Sequence, residues 1–348
     1  MKTASRVLAL VLLSLWSAAV FAAPRRCLSE CTPRIGIVSA FGQEAAILVA
    51  QTQGRRTWLI QGNRFTTGTL RGNRVVIVLS GVSMINAAMT TQTLLDHFRV
   101  ERLVMSGISG GIDPAHRVGD VLVPDSWVMP MEVYWSHDAA TPAPCGPASD
   151  ISCLGLKMAR PDGRVLPSFV LPGGTPSGFF IRENHVTRAG GPAEGEFMFD
   201  YRVDPAMLAV ARTIAPALAR CGPKATVNGG APDPKLCVAH QPQVVIGGRG
   251  VSGTAFLANP AYRTYLFEQL KAQTVDMETA SLAHVAYANS VPYIAFRSLS
   301  DLAGAEEFNA DVGALFASGL AETNESAVTL AFLDAWRQRR SADRKRGS

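Results

Sequence analysis

Apolar runs of strand length alternate along this chain with segments of helical periodicity, and short polar or glycine-rich stretches stand directly behind the runs. The pattern predicts strands over 34–39, 74–79, 102–106, 120–124, 243–250 and 293–298. It predicts helices over 43–51, 86–98, 204–219, from 259 onward, over 276–289 and from about 311 to 336. Asn259 ahead of Pro260 pairs a capping side chain with a proline at the first helical position. Alternation of this kind predicts an α/β fold, a three-layer α/β/α arrangement around a central, mostly parallel, twisted sheet. Two stretches break the pattern. About 130–176 is rich in Pro, Gly, Ser and Asp and reads as a long surface insertion, and 222–237 is a second irregular, cysteine-flanked excursion.

Ligands of open α/β sheets sit beyond the carboxyl ends of the strands. Glu44 follows the first predicted strand, the stretch 106–111 a middle one, Ser252, Thr254 and Phe256 the strand over 243–250, and Ser300-Asp301 the last. Four loops are thereby predicted to converge on one pocket. The glycines at 107, 110 and 111 lack the GxGxxG spacing of a dinucleotide site and suit a tight turn that brings backbone close to a ligand.

The two ends read differently from the body. Lys2 and Arg6 lead into an apolar run over 7–20, broken by Ser14 and Ser17, and Val20-Phe21-Ala22 places small residues where a signal peptidase reads. Cleavage after Ala22 is expected, giving an exported protein, periplasmic or secreted, with no stable membrane insertion. The formal net charge of +5 is carried by these ends: Lys2 and Arg6 at one, and Arg337, Arg339, Arg340, Arg344, Lys345 and Arg346 at the other. The body, 23–336, reads as one slightly acidic domain, and 337–348 as a basic, disordered tail, which argues against a nucleic-acid partner. With 47% hydrophobic and 18% charged residues the body can bury a substantial core. Six cysteines in an exported chain suggest disulfides, and sequence proximity favours Cys27 with Cys31, Cys145 with Cys153 and Cys221 with Cys237. Zinc is the competing reading, but no CxxC or paired histidine accompanies them, and the six histidines show no ligand spacing. No metal or organic cofactor is expected.

Six segments in order carry a resemblance: Ile35-Gly36-Ile37-Val38-Ser39-Ala40 with Glu44; Ser80-Gly81-Val82; Ser106-Gly107-Ile108-Ser109-Gly110-Gly111 leading to Val118-Gly119-Asp120; Val251-Ser252-Gly253-Thr254-Ala255-Phe256; Val275-Asp276-Met277-Glu278; and Arg297-Ser298-Leu299-Ser300-Asp301. Together they resemble the purine nucleoside phosphorylase and nucleosidase superfamily, most closely the methylthioadenosine/S-adenosylhomocysteine nucleosidases. The resemblance covers roughly 34–336 outside the irregular stretches.

What it implies is cleavage of the N-glycosidic bond of a purine nucleoside, without a cofactor, in a homo-oligomer whose neighbouring subunit covers part of the pocket. Breaking that bond builds positive charge on the ribose and negative charge on the base, so a general acid and a water-positioning carboxylate are needed. The resemblance assigns the acid, toward purine N7, to Asp301, the water to Glu44 and the ribose hydroxyls to Glu278. It assigns contacts with sugar or base to Met277 and Phe256, and places Gly107, Ile108, Ser300 and Arg297 around them. Each assignment has a structural rival: a first-turn helix charge for Glu44 and Glu278, a helix cap for Ser300-Asp301, core packing for Met277 and Phe256. Ile108 and Thr254 stand where the nucleosidases carry Ser and Asp, and Asp276 replaces a Glu. Phosphorylases of the superfamily hold phosphate with a cation, typically an Arg shortly after the first strand, whereas 40–53 contains no Lys or Arg. Hydrolysis is therefore favoured. Phosphorolysis, using Arg249 or Arg297, is the runner-up, and a non-catalytic nucleoside-binding or storage role is the alternative from another class.

Overall fold

The computed structural model describes residues 27–141, 150–151, 155–173, 177–226, 230–305 and 310–346. The expected signal segment and Cys145 and Cys153 lie outside them. The first half comprises β1 (Glu30–Ser39), α1 (Gly42–Gln51), β2 (Gln53–Ile60), β3 (Asn63–Leu70), β4 (Asn73–Leu79), α2 (Met84–His97) and β5 (Phe98–Gly111). Short strands follow: β6 (Val121–Val123), β7 (Ser126–Val128), β8 (Val133–Ser136), β9 (Asp150–Ile151), β10 (Leu156–Lys157), β11 (Gly178–Ile181), β12 (Asn184–Val186), β13 (Glu196–Met198) and β14 (Tyr201–Arg202). The rest is α3 (Pro205–Ala211), β15 (Val244–Ile246), β16 (Arg249–Ser252), α4 (Pro260–Leu270), β17 (Ala272–Asp276), α5 (Thr279–Ala288), β18 (Tyr293–Asp301), α6 (Ala310–Ala317) and α7 (Leu320–Arg346).

One mixed, mostly parallel sheet organises the molecule, in the order β14-β7-β16-β17-β5-β1-β4-β3-β2, with β18 branching from β5, β6 pairing with β18 and β15 with β6. Helices enclose it, α1 packing with α7 and α2 with α5. Its central strands read as unbroken apolar runs because both faces are covered: Ile37, Val38, Val76, Ile77, Val104, Met105, Ile294, Ala295 and Phe296 are all buried. The α/β/α expectation is met.

The long strand β5 positions the site. Its first half is flanked by β1, in register to Val38↔Met105. Its last residues pair instead with β17, at Gly110 and Gly111. Along its other edge β18 runs parallel from Tyr293↔Leu103 to Asp301↔Gly110. Between Met105 and Gly110 one edge of β5 is therefore left by β1 and not yet taken by β17, and side chains from other loops can bind backbone there.

Several expectations are corrected. The helix over 204–219 stops at Ala211, because Pro216 excludes the residue before it from helical backbone. The strand over 243–250 is two strands, broken where Gly247 and Gly248 adopt φ of 108° and 76°, which lets β15 join β6 and β16 join β7. Asp276 ends β17 rather than opening a helix. The last helix is split at Gly319, φ 81°, and the tail expected to be disordered continues α7 to Arg346, since no glycine or proline interrupts 320–346. Strands β2 and β3, which form a meander with β4, have no counterpart in the sequence reading, although Gln61-Gly62 and Arg71-Gly72, all with positive φ, supply its two-residue turns. The described part of 130–176 carries the β9–β10 ribbon and the strand β8, which pairs with β11 just beyond it, rather than a bare loop. Cys27–Cys31 and Cys221–Cys237 are disulfide-bonded.

Candidate active site

Helix α1 begins two residues after β1, so its first turn stands at the carboxyl end of the sheet. There Glu44 reaches back: Ala40 N and Phe41 N donate to its Oε2 at 2.5 and 3.1 Å. The second bond is half of a capping box. Its Oε1 takes the Ile108 N–H, 2.8 Å away, at the vacated edge of β5. One carboxylate thus caps α1 and binds the edge of β5. Burial pushes its pKa up to about 7, against the pull of Arg297 and of the Ile108 and Phe41 N–H groups.

Arg297, on β18, is wholly buried and gathers the carboxylates. Its Nε lies 2.7 Å from Asp276 Oδ2, Nη2 3.2 Å from Glu278 Oε2 and Nη1 3.6 Å from Glu44 Oε1, while Nη1 also donates to Ile108 O. Burial alone would lower its pKa, but Asp276, Glu278, Glu44 and Glu325 raise it. The arginine predicted to meet substrate instead sits beneath the pocket. Gly107 is off the cavity too, and its glycine is required by contact: a Cβ there would collide with Arg297 Nη1 and Glu44 Oε1.

Glu278 caps the junction of β17 and α5, and burial raises its pKa, opposed by Arg297 and reinforced by Asp276. Its Oε1 accepts the Ser83 N–H at 2.9 Å. Ser83 adopts φ 91°, ψ 153°, a region left almost entirely to glycine, so backbone strain of about 1–3 kcal/mol is held at this contact. Asp301 repeats the pattern. Its Oδ1 accepts the N–H of Ala303, another non-glycine residue with positive φ, and its Oδ2 lies 2.9 Å from Ser300 Oγ. Burial raises the Asp301 pKa against those two hydrogen bonds.

Glu44, Glu278 and Asp301 line one cavity of about 170 Å³ together with Phe41, Val82, Ile108, Leu257, Met277 and Phe316, among others. Ser300 and Phe256 also line it, Phe256 with 58% of its surface exposed. Thr254 is exposed and off the cavity, so of the two unusual positions Ile108 is the one that shapes it. Among the described residues, the lining includes none of 130–176 and no Lys or Arg. Arg249 bonds Leu270 O and pairs with Asp200 elsewhere.

Sequence reasoning missed Ser83, Ala303, Phe316 and Glu325. Glu325 of α7 is wholly buried, with Ser106 Oγ 2.9 Å from both its oxygens; burial and the charge of Glu44 raise its pKa well above the usual range. It carries no local signal in the sequence, since it falls mid-helix and meets β5 only in the fold. Among the described residues no group of three His, Cys, Asp or Glu is placed to hold a metal ion.

The family profile described as the Phosphorylase superfamily matches residues 34–334. A 5'-methylthioadenosine/S-adenosylhomocysteine nucleosidase of Lysinibacillus sphaericus is 28% identical over 277 residues, 78% of this chain and 88% of that protein. The enzyme of the same name from Geobacillus kaustophilus is 26% identical over 88% of this chain and 99% of its own. Among solved structures, the nucleosidase of Colwellia psychrerythraea, in complex with adenine, aligns with a TM-score of 0.57 at 22% identity, covering 87% of this chain and 95% of that one. The futalosine hydrolase of Helicobacter pylori aligns with a TM-score of 0.53 at 18% identity, covering 90% and 98%. With its candidate site assembled at the switch between β1 and β17, and with the profile spanning 34–334, the chain belongs to the Phosphorylase superfamily.

Proposed function

We propose that the protein hydrolyses the N-glycosidic bond of a purine nucleoside of the methylthioadenosine/S-adenosylhomocysteine kind, releasing free base and sugar. The observation that carries this is three carboxylates from three separate loops lining one largely apolar cavity from which cationic side chains are absent among the described lining residues. Glu44, poised near neutrality, orients a water and takes its proton as the bond breaks. Asp301, whose pKa burial raises, donates toward the departing base, and Ser300 fixes its orientation. Glu278 accepts the ribose hydroxyls and faces the positive charge that grows on the ring. Met277, Ile108 and Phe256 wall the sugar and base. Arg297 acts from below, holding the carboxylates in place.

Phosphorolysis is disfavoured by the same lining. An anion entering beside Glu44 and Glu278 would meet like charge, and both Arg297 and Arg249 are engaged away from the cavity. The strain and the hydrogen bonds invested in Glu278 and Asp301 argue for turnover rather than storage. The assay is release of free base from methylthioadenosine, S-adenosylhomocysteine, adenosine and inosine in phosphate-free buffer; no release from any of them by folded protein would remove the hydrolase reading.

A homo-oligomer belongs to this reading. Val82, Ile85 and Met89 are 46%, 68% and 62% exposed around the start of α2, and Val82 also lines the cavity. A second copy packed on that apolar strip would close the cavity's edge. Export to the periplasm or beyond is also part of it, supported by the basic and apolar pattern of 1–22 and by the two disulfides. N-terminal sequencing of the exported protein is expected to begin at Ala23.

A further inference from the structure

Helix α6 supplies Phe316 to the cavity, and the joint behind that helix is gripped by the described turns of the irregular excursion over 222–237. Two single-turn helices, Pro223–Ala225 and Pro234–Leu236, are bracketed by the Cys221–Cys237 disulfide. The first holds the end of α6: Lys224 Nζ donates to Ala317 O at 2.9 Å, and Lys224 N to Ser318 O at 3.3 Å. A Cβ on Gly222 would collide with Ser318, and Gly319, at φ 81°, faces Pro223. The second turn touches α6 itself. The Lys224 ammonium stands where the terminal carbonyls of α6 lack helical partners and where the helix dipole favours a cation.

We propose that this disulfide-stapled excursion, acting through Lys224, positions Phe316 and thereby sets how tightly the cavity holds its substrate. The cross-link keeps the two turns beside one another, so Lys224 and the Pro234–Leu236 turn reach α6 together. Glu44 and Glu278 are held by backbone N–H groups and by Arg297, and Asp301 by Ser300 and Ala303, so a loosened α6 weakens substrate binding while leaving the bond-breaking groups in place. Lys224 is a positioning residue: it lies outside the cavity lining and acts through α6. The inference rests on the cavity being the substrate site proposed above.

The test is steady-state kinetics of Lys224→Ala, Lys224→Arg, Phe316→Ala, the Lys224→Ala/Phe316→Ala pair, and Cys221→Ser with Cys237→Ser. Lys224→Ala is expected to raise KM roughly threefold to tenfold while kcat stays within about twofold. Lys224→Arg restores KM, and the pair is no worse than Phe316→Ala alone, because both act on one contact. An unchanged KM in Lys224→Ala, a loss confined to kcat, or full additivity with Phe316→Ala overturns the proposal. If the cysteine variant fails to fold, the Lys224 variants, with the disulfide intact, carry the test. Wild-type protein that releases no base would sink the hydrolase reading instead, and calorimetric titration with adenine then makes the same comparison: weaker binding by Lys224→Ala supports the positioning role, and equal binding overturns it.

Discussion

At the scale of single residues the site is a problem of charge held out of water. Glu44, Asp276, Glu278 and Glu325 are all buried around the one guanidinium of Arg297, so the cluster tolerates ionisation only where Arg297 or backbone N–H groups compensate it. With its pKa at about 7, Glu44 loses its charge, and its capacity as a base, as pH falls through neutrality. kcat/KM is therefore expected to decline below pH 7, and Glu44→Gln to lower kcat by about 10²–10⁴ and abolish that limb, read from a pH–rate series. Removing the guanidinium with Arg297→Met strands the buried carboxylates; chemical denaturation should register a loss of about 3–5 kcal/mol, and a loss below about 1 kcal/mol would contradict this account of the cluster. Glu44 and Asp301 were legible in the sequence because each stands at the end of a predicted strand, and Glu278 only through the motif Val275-Asp276-Met277-Glu278, since the strand before it was not read. Arg297 was legible as a position but not as a role, since nothing in Arg297-Ser298-Leu299 shows that its side chain turns under the sheet rather than into the pocket. Ser83 and Ala303 were not legible at all: a serine or alanine with positive φ leaves no trace in composition.

At the scale of elements, legibility followed periodicity. The central strands and α1, α2, α4 and α5 are long or apolar enough to be read directly, and α4 also declares its start. Asn259 Oδ1 accepts the Tyr262 N–H at 2.9 Å with Pro260 at the first helical position. Asn259→Ala should cost about 1 kcal/mol in a denaturation experiment, with the helix otherwise retained; an unchanged midpoint would mean the cap is dispensable. Three of the errors share one cause, which is that proline and glycine act on neighbours. Pro216 ends α3 early, Gly247-Gly248 divides one predicted strand into β15 and β16, and Gly319 separates α6 from α7. That last break matters for function, because it leaves α6 a short separate helix that must be fixed from outside. The meander's first strand was overlooked because β2 is mostly exposed and polar, so it lacks the apolar signal by which the buried strands announce themselves.

At the scale of the whole molecule, the branched path of β5 is what makes a site. β1 and β18 deliver Glu44 and Asp301 to its two edges, and β17 arrives from the far side with Glu278. A parallel sheet that stayed regular would have used the Ile108 N–H for a strand neighbour, whereas here it is free to bind Glu44. The remaining opening borders the exposed apolar strip of α2. Ile85→Glu is expected to convert a homo-oligomer to monomers in analytical ultracentrifugation and to raise KM; a monomeric wild-type protein would remove that part of the account. The most direct test of the central claim compares wild-type protein with Asp301→Asn in phosphate-free buffer, following free purine base by chromatography. Hydrolysis at the three-carboxylate cavity predicts base release by the wild type, unaffected by added phosphate, and a loss of about 10²–10⁴ in rate for the folded variant. Release that appears only when phosphate is supplied, or that survives in Asp301→Asn, would contradict it.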